Sequence, residues 1–184
     1  YGDHRDLLAF PTRRSSDLTT CGTNKKFFCK GGDNLLPVGP GDPEDFFFRG
    51  ARQANGTFVG DQQAIINSII RNGGNTIYIQ AVKTHGGDGP SPYGNPWIDG
   101  DPENGVDQDM LTQWQGWLKQ LSDAGVVIHF FIYDDHSCPW GNCQSGTLPP
   151  LEVDLINSLV NNFKDLENIV RSEEHTSELQ SPNT

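Results

Sequence analysis

Apolar residues recur at helical spacing in three stretches of this chain and run without interruption in two others. Ala64, Ile65, Ile66, Ile69 and Ile70 return every three or four residues, which predicts a helix from Asp61 as N-cap to the stop at Gly73-Gly74. Leu111, Trp114, Trp117 or Leu118, and Leu121 form a second apolar face, capped by Asp107 or Asp109 and stopped by Gly125. Leu155, Ile156, Leu159, Val160 and Phe163 form a third. Between them, Asn75 to Val82 and Val126 to Tyr133 are continuous apolar runs, the pattern of strands buried on both faces. Asn168-Ile169-Val170 reads as the start of a further strand. Lys26 to Cys29 reads as a short one before the glycine-punctuated turn Lys30 to Asn34. After a Pro/Gly loop, Phe46, Phe47 and Phe48 are expected to pack over an apolar surface.

The order strand, helix, strand, helix, strand, helix, strand predicts an α/β fold with a parallel sheet. Connections after helices are short, as at Gly73-Gly74-Asn75 and Asp123-Ala124-Gly125, whereas those after strands are long and rich in Gly and Pro. Elaborate chemistry is therefore expected at the strand C-termini, as in a TIM barrel. A doubly wound sheet uses the same side, but no Gly-x-Gly-x-x-Gly or Gly-Lys-Ser/Thr follows any strand. The expected architecture is a partial TIM (β/α)8 barrel, holding about the first three βα units and the start of strand four.

Both ends change the reading of length and charge. Tyr1 to Leu7 and Phe10 to Leu18 resemble one translated frame of a common sequencing-library adapter, with only Leu8 and Ala9 departing from it. Arg171 to Ser181 resembles the translated adapter of the opposite end, with Pro182-Asn183-Thr184 as adapter remainder and index. Residues 1–18 and 171–184 are accordingly expected not to be native, leaving an incomplete domain over residues 19–170. The N-terminal match carries three Asp against three Arg, and the C-terminal match three Glu against one Arg. Residues 19–170 thus keep about −9 of the net −11. That balance argues against nucleic acid or an anionic membrane as partner, since phosphate binding needs clustered Lys and Arg. No apolar run is long enough to span a bilayer, so no membrane partner is expected. Cysteines stand at positions 21, 29, 138 and 143, and Asn55-Gly56-Thr57 is a glycosylation-type triplet; both incline the reading towards export.

Asn75 to Gln80, His85-Gly86-Gly87-Asp88-Gly89, Phe130 to Asp135, and Leu159 to Lys164 followed by Asn168-Ile169-Val170 together carry a family resemblance. They resemble the opening half of a cellulase-like (β/α)8 glycoside hydrolase. The resemblance implies hydrolysis of O-glycosyl bonds in a polysaccharide or oligosaccharide, with no cofactor. In such enzymes the acid/base follows strand four and the nucleophile ends strand seven. The reactive carboxylates are therefore expected downstream, no residue here is assigned a catalytic role, and this piece is expected to be inactive. A non-catalytic carbohydrate-binding or structural barrel is the alternative.

The candidate sugar-binding residues are those expected at strand exits. Asp134 and Asp135 end a buried strand, where a carboxylate can take a sugar hydroxyl or cap the loop. His85 and Asp88 lie in a glycine loop that permits close approach, and Lys83 shares that position. Asp33 and Asn34 follow the first strand, where an Asx-turn is the plainer account. Trp97 and Trp140, both in loops, are candidate stacking platforms, whereas Trp114 and Trp117 read as core. His129 reads as a hydrogen-bonded core residue and His136 as a solvated loop residue. Cys138 and Cys143 can close a short disulfide loop. With His136 they fall short of a zinc set, lacking a fourth ligand. Asp99 to Gly105 resembles a calcium loop superficially but has Asn104 where an EF-hand needs Gly, so no metal is expected.

Overall fold

The structure, a computed structural model, describes residues 18–22, 28–40, 45–83, 94–133 and 149–172. The chain divides into two compact units, Tyr1–Leu36 and Pro37–Thr184.

In the first unit, β1 (Leu18–Thr20), β2 (Phe28–Lys30) and β3 (Asp33–Asn34) form an antiparallel sheet, with Thr19 opposite Cys29 and Lys30 opposite Asp33. Gly31 and Gly32, at φ +60° and +88°, are the two residues joining β2 to β3. Positive φ at both central positions is the type I′ requirement, whose twist matches that of the strands it joins. A disulfide links Cys21 to Cys29 across the sheet.

In the second unit, β4 (Ala51–Arg52) and β5 (Phe58–Val59) form a small antiparallel hairpin. Then follow α1 (Gln62–Arg71), β6 (Thr76–Val82), α2 (Gln108–Asp123), β7 (Val127–Tyr133), α3 (Pro150–Phe163) and β8 (Ile169–Ser172). The last three strands pair in parallel in the order β6-β7-β8, with Ile79 beside Phe130 and Ile128 beside Ile169.

This arrangement corrects the expected fold class. The described residues hold three separate small sheets, two antiparallel and one parallel with three strands, and no closed barrel. The reason lies at residues 28–34. Adjacent glycines turn the chain straight back there, so the supposed first strand of a parallel sheet becomes the middle of an antiparallel one.

The helices form where apolar spacing predicts them, with one difference in how they begin. Asp107 caps α2 through its side chain, accepting from Met110 N at 3.1 Å. Asp61 sits at the N-cap of α1 but makes no cap bond; its carboxylate is taken by Arg49 at 2.6 and 3.0 Å. The Gln62 side chain accepts from Gly60 N and donates to Arg49 O, which ties the helix start to the preceding chain. At the other end, Gly74 N bonds Ile69 O and Gly73 N bonds Ile70 O, the paired closure of a Schellman motif.

Phe46, Phe47 and Phe48 are all buried, as expected from their sequence. Phe47 stacks on Trp114 of α2 with centroids 3.9 Å apart and lies 6.1 Å from Phe130 of β7. The short helical turn Phe46–Phe48 thereby ties α2 to the parallel sheet, and Ile66, Leu118, Leu121, Leu155 and Phe163 complete the core.

Candidate functional site

Strands β6 and β7 end side by side, with Val82 the register partner of Tyr133. Each end carries a buried polar pair. Just past β6, Lys83 donates from Nζ to Asp45 Oδ1, with side-chain exposures of only 5% and 4%. Asp45 immediately precedes the three buried phenylalanines, and Phe48 N bonds its carbonyl at 2.8 Å, so core packing delivers the carboxylate to the strand end. Lys83 N in turn donates to Gly94 O. A Cβ at position 94 would lie 2.8 Å from Lys83 Cβ, so this return of the chain requires glycine.

At the end of β7, Tyr133 donates its hydroxyl to Glu152 Oε1 at 3.0 Å, both side chains being buried. Glu152 lies in the first turn of α3, where exposed backbone N–H groups and the helix dipole favour a carboxylate.

Between these ends and the strand starts runs an aromatic and amide face. Alternation along the parallel register puts Tyr78 beside His129 and Gln80 beside Phe131. The Phe131 ring lies 4.4 Å from that of Tyr78 and 4.3 Å from that of His129. Gln80 donates to the Tyr78 hydroxyl at 2.8 Å, while its buried Oε1 accepts no hydrogen bond.

Burial holds the His129 imidazole below its ordinary value of 6.5, because desolvation penalises the charged form. The neutral ring is thus the folded species. Stability is full above the unfolded value and falls as acid protonates the unfolded chain more readily than the folded one. Thermal melts should show stability lost as pH falls through the unfolded value of 6.5, a loss that His129→Gln reduces. Equal acid sensitivity in the variant would remove His129 as a source.

A separate cleft of about 530 Å³ lies where the β4–β5 turn faces residues 98–107. Its walls include Arg52, Asn55, Ile98, Asp99 and Asp107. Its volume is within the about 300–1,000 Å³ of small-molecule sites. Asp99 holds φ +55°, a left-handed conformation that Asp tolerates better than most residues.

These positions can be set against the residues expected at strand exits. Asp33 and Asn34 are exposed members of β3, in the first unit. Lys83 does stand at the end of β6, but its ammonium is committed to Asp45. Trp97 is 3% exposed, with no open ring face to stack on a sugar. A bridge to Val106 closes residues 98–105 back on themselves, and the Trp97 side chain belongs to the hydrophobic core. His85, Asp88, Asp134, Asp135 and Trp140 lie outside the described residues, as do His136, Cys138 and Cys143.

Asp99 to Gly105 forms two short helical turns, Ile98–Gly100 and Pro102–Asn104, in which Asp101 accepts from Glu103 N. Among the described residues no group of three His, Cys, Asp or Glu is placed to hold a metal, and no helix is long and apolar enough to cross a membrane. The sequence reading missed Asp45, Gln80 and Glu152. Asp45 directly precedes the phenylalanine run, and Glu152 lies between Leu151 and Val153 just after Pro149-Pro150, the one sequence signal that marked them. Compared with known proteins, the chain matches no family model and no curated protein sequence.

Proposed function

We propose that this chain belongs to a carbohydrate-active protein that hydrolyses O-glycosyl bonds of a polysaccharide or oligosaccharide, and that it supplies substrate-binding rather than reacting groups. One observation carries the reading: Val82 and Tyr133 are register partners, so the stretches that follow them start from neighbouring points on one sheet edge. One stretch contains His85 and Asp88, the other Asp134, Asp135 and Trp140. Carboxylates and imidazole suit sugar hydroxyls, and indole suits the apolar face of a pyranose. The reading rests on these strand exits and makes no use of a closed barrel.

A second reading, carbohydrate binding without hydrolysis, is favoured by a different observation. Asp45 and Glu152, the buried carboxylates at the edge, already hold Lys83 and the Tyr133 hydroxyl, which leaves them poorly disposed to act as acid and base.

Affinity electrophoresis of the full chain against a panel of soluble polysaccharides, with reducing ends assayed in parallel, tests both. Retardation on at least one glycan is expected, weakened about tenfold or more in Asp134→Ala/Asp135→Ala through lost charged hydrogen bonds. Retardation without release of reducing ends is the outcome expected of a chain that supplies binding groups, and release by this chain itself would overturn that assignment. Neither on any glycan would overturn the carbohydrate reading.

A further inference from the structure

We propose that Asn55 is a covalent N-glycosylation site, an assignment independent of any carbohydrate substrate. Asn55-Gly56-Thr57 is the only Asn-x-Ser/Thr triplet in the 184-residue sequence. The fold puts it at the tip of the β4–β5 hairpin, closed by Gly56 N on Gln53 O at 3.0 Å and Gln53 N on Thr57 O at 2.8 Å.

Three features of that tip fit the modification. First, Asn55 is exposed, and both of its hydrogen bonds use Oδ1, from Thr57 Oγ1 at 2.7 Å and Thr57 N at 3.4 Å. Among the described residues Nδ2, the atom to be modified, makes none. Second, the middle residue is fixed by packing: Gly56 has φ +84°, and a Cβ there would fall 1.8 Å from Asp107 Oδ2. The backbone is thus anchored on the helix cap while Asn55 stands clear of it. Third, Asn55 borders the cleft of about 530 Å³, whose rim includes the 43%-exposed Ile98. An attached sugar therefore finds open space beside the hairpin and an apolar rim to lie on, instead of a packed wall.

The Cys21–Cys29 disulfide points the same way, because disulfides persist in the oxidising secretory compartment where N-glycans are added. The donor class is a lipid-pyrophosphate-linked oligosaccharide. Asn55 Nδ2 forms a bond to the anomeric carbon of the first sugar as the bond from that carbon to the pyrophosphate oxygen breaks. Lipid pyrophosphate leaves with the electron pair and the amide gives up one proton. No oxidant or reductant takes part.

The test is translation of the full chain behind a cleavable export signal in the presence of eukaryotic microsomes, analysing only the protease-protected fraction. A single glycan is expected, removed by endoglycosidase and lost completely in both Asn55→Gln and Thr57→Ala. Thr57→Ser, which keeps the hydroxyl, should retain it. Because transfer needs the triplet and not a finished fold, a destabilised variant still reports. Protease-protected chain that stays unmodified at Asn55 overturns the assignment, as does a glycan that survives Asn55→Gln.

Discussion

Replacing Lys83 with methionine is expected to cost the fold about 3–5 kcal/mol, the usual result of leaving one member of a buried ion pair without the other. The geometry makes the case severe. Asp45 is 3% exposed, its carboxylate is held by the Lys83 ammonium, and the adjoining phenylalanines prevent the segment from swinging out to water. The second half of the experiment separates charge from packing. Lys83→Met/Asp45→Asn removes both charges at similar volume and should recover most of the loss, since buried pairs exchanged for neutral groups are often near neutral in stability. Urea denaturation of the two variants beside the parent measures both costs. A single-variant cost below about 1 kcal/mol would mean that the pair is effectively solvated. Lys83 would then be returned to the set of groups able to meet a ligand.

Phe47→Ala is expected to be as damaging, at about 3–5 kcal/mol, by removing a fully buried aromatic ring and leaving a cavity. Phe47 is the residue through which the Phe46–Phe48 turn reaches both α2 and β7, stacked on Trp114 within 9° of parallel and 6.1 Å from Phe130. Its loss loosens the segment that carries Asp45, so the two predictions are coupled. A double-mutant cycle of Phe47→Ala with Trp114→Ala should leave a coupling of about 0.5–1.5 kcal/mol for the stacked pair. No coupling would reduce the contact to area burial alone.

The part of the fold that could be read beforehand is the part governed by local periodicity. Ile65, Ile66 and Ile69 locate α1 and Trp114, Leu118 and Leu121 locate α2, because a helix repeats its apolar face every few residues. The runs ending at Val82 and Tyr133 locate β6 and β7 to within one residue. What escaped has no period to show. β3, β4 and β5 are two residues each, too short for alternation to register. The Gly31-Gly32 turn was visible as a turn, but its two positive φ values, which make the sheet antiparallel, follow from the strands on either side.

The candidate site was less legible than the fold, for a related reason. Its buried pairs join residues far apart in sequence, 38 positions for Lys83 with Asp45 and 19 for Tyr133 with Glu152. No local pattern announces such a partner. The burial of Trp97 was not legible either, because it lies in a loop among Gly and Pro, where no apolar period marks a residue as core. β8 also runs to Ser172, past the point where the adapter-like residues begin. A ladder is made by main-chain groups, which pair whatever side chain they carry.

The Cys21–Cys29 bond gives the two units different dependences on their surroundings. Three strands of two or three residues bury too little oil to hold themselves together, and small elements of this kind lean on covalent staples. Pro37–Thr184, by contrast, keeps its shape through packed aromatic and aliphatic side chains. A thiol-rich medium would therefore erode the three-stranded sheet, so the integrity of that piece is set partly by where in a cell it is made.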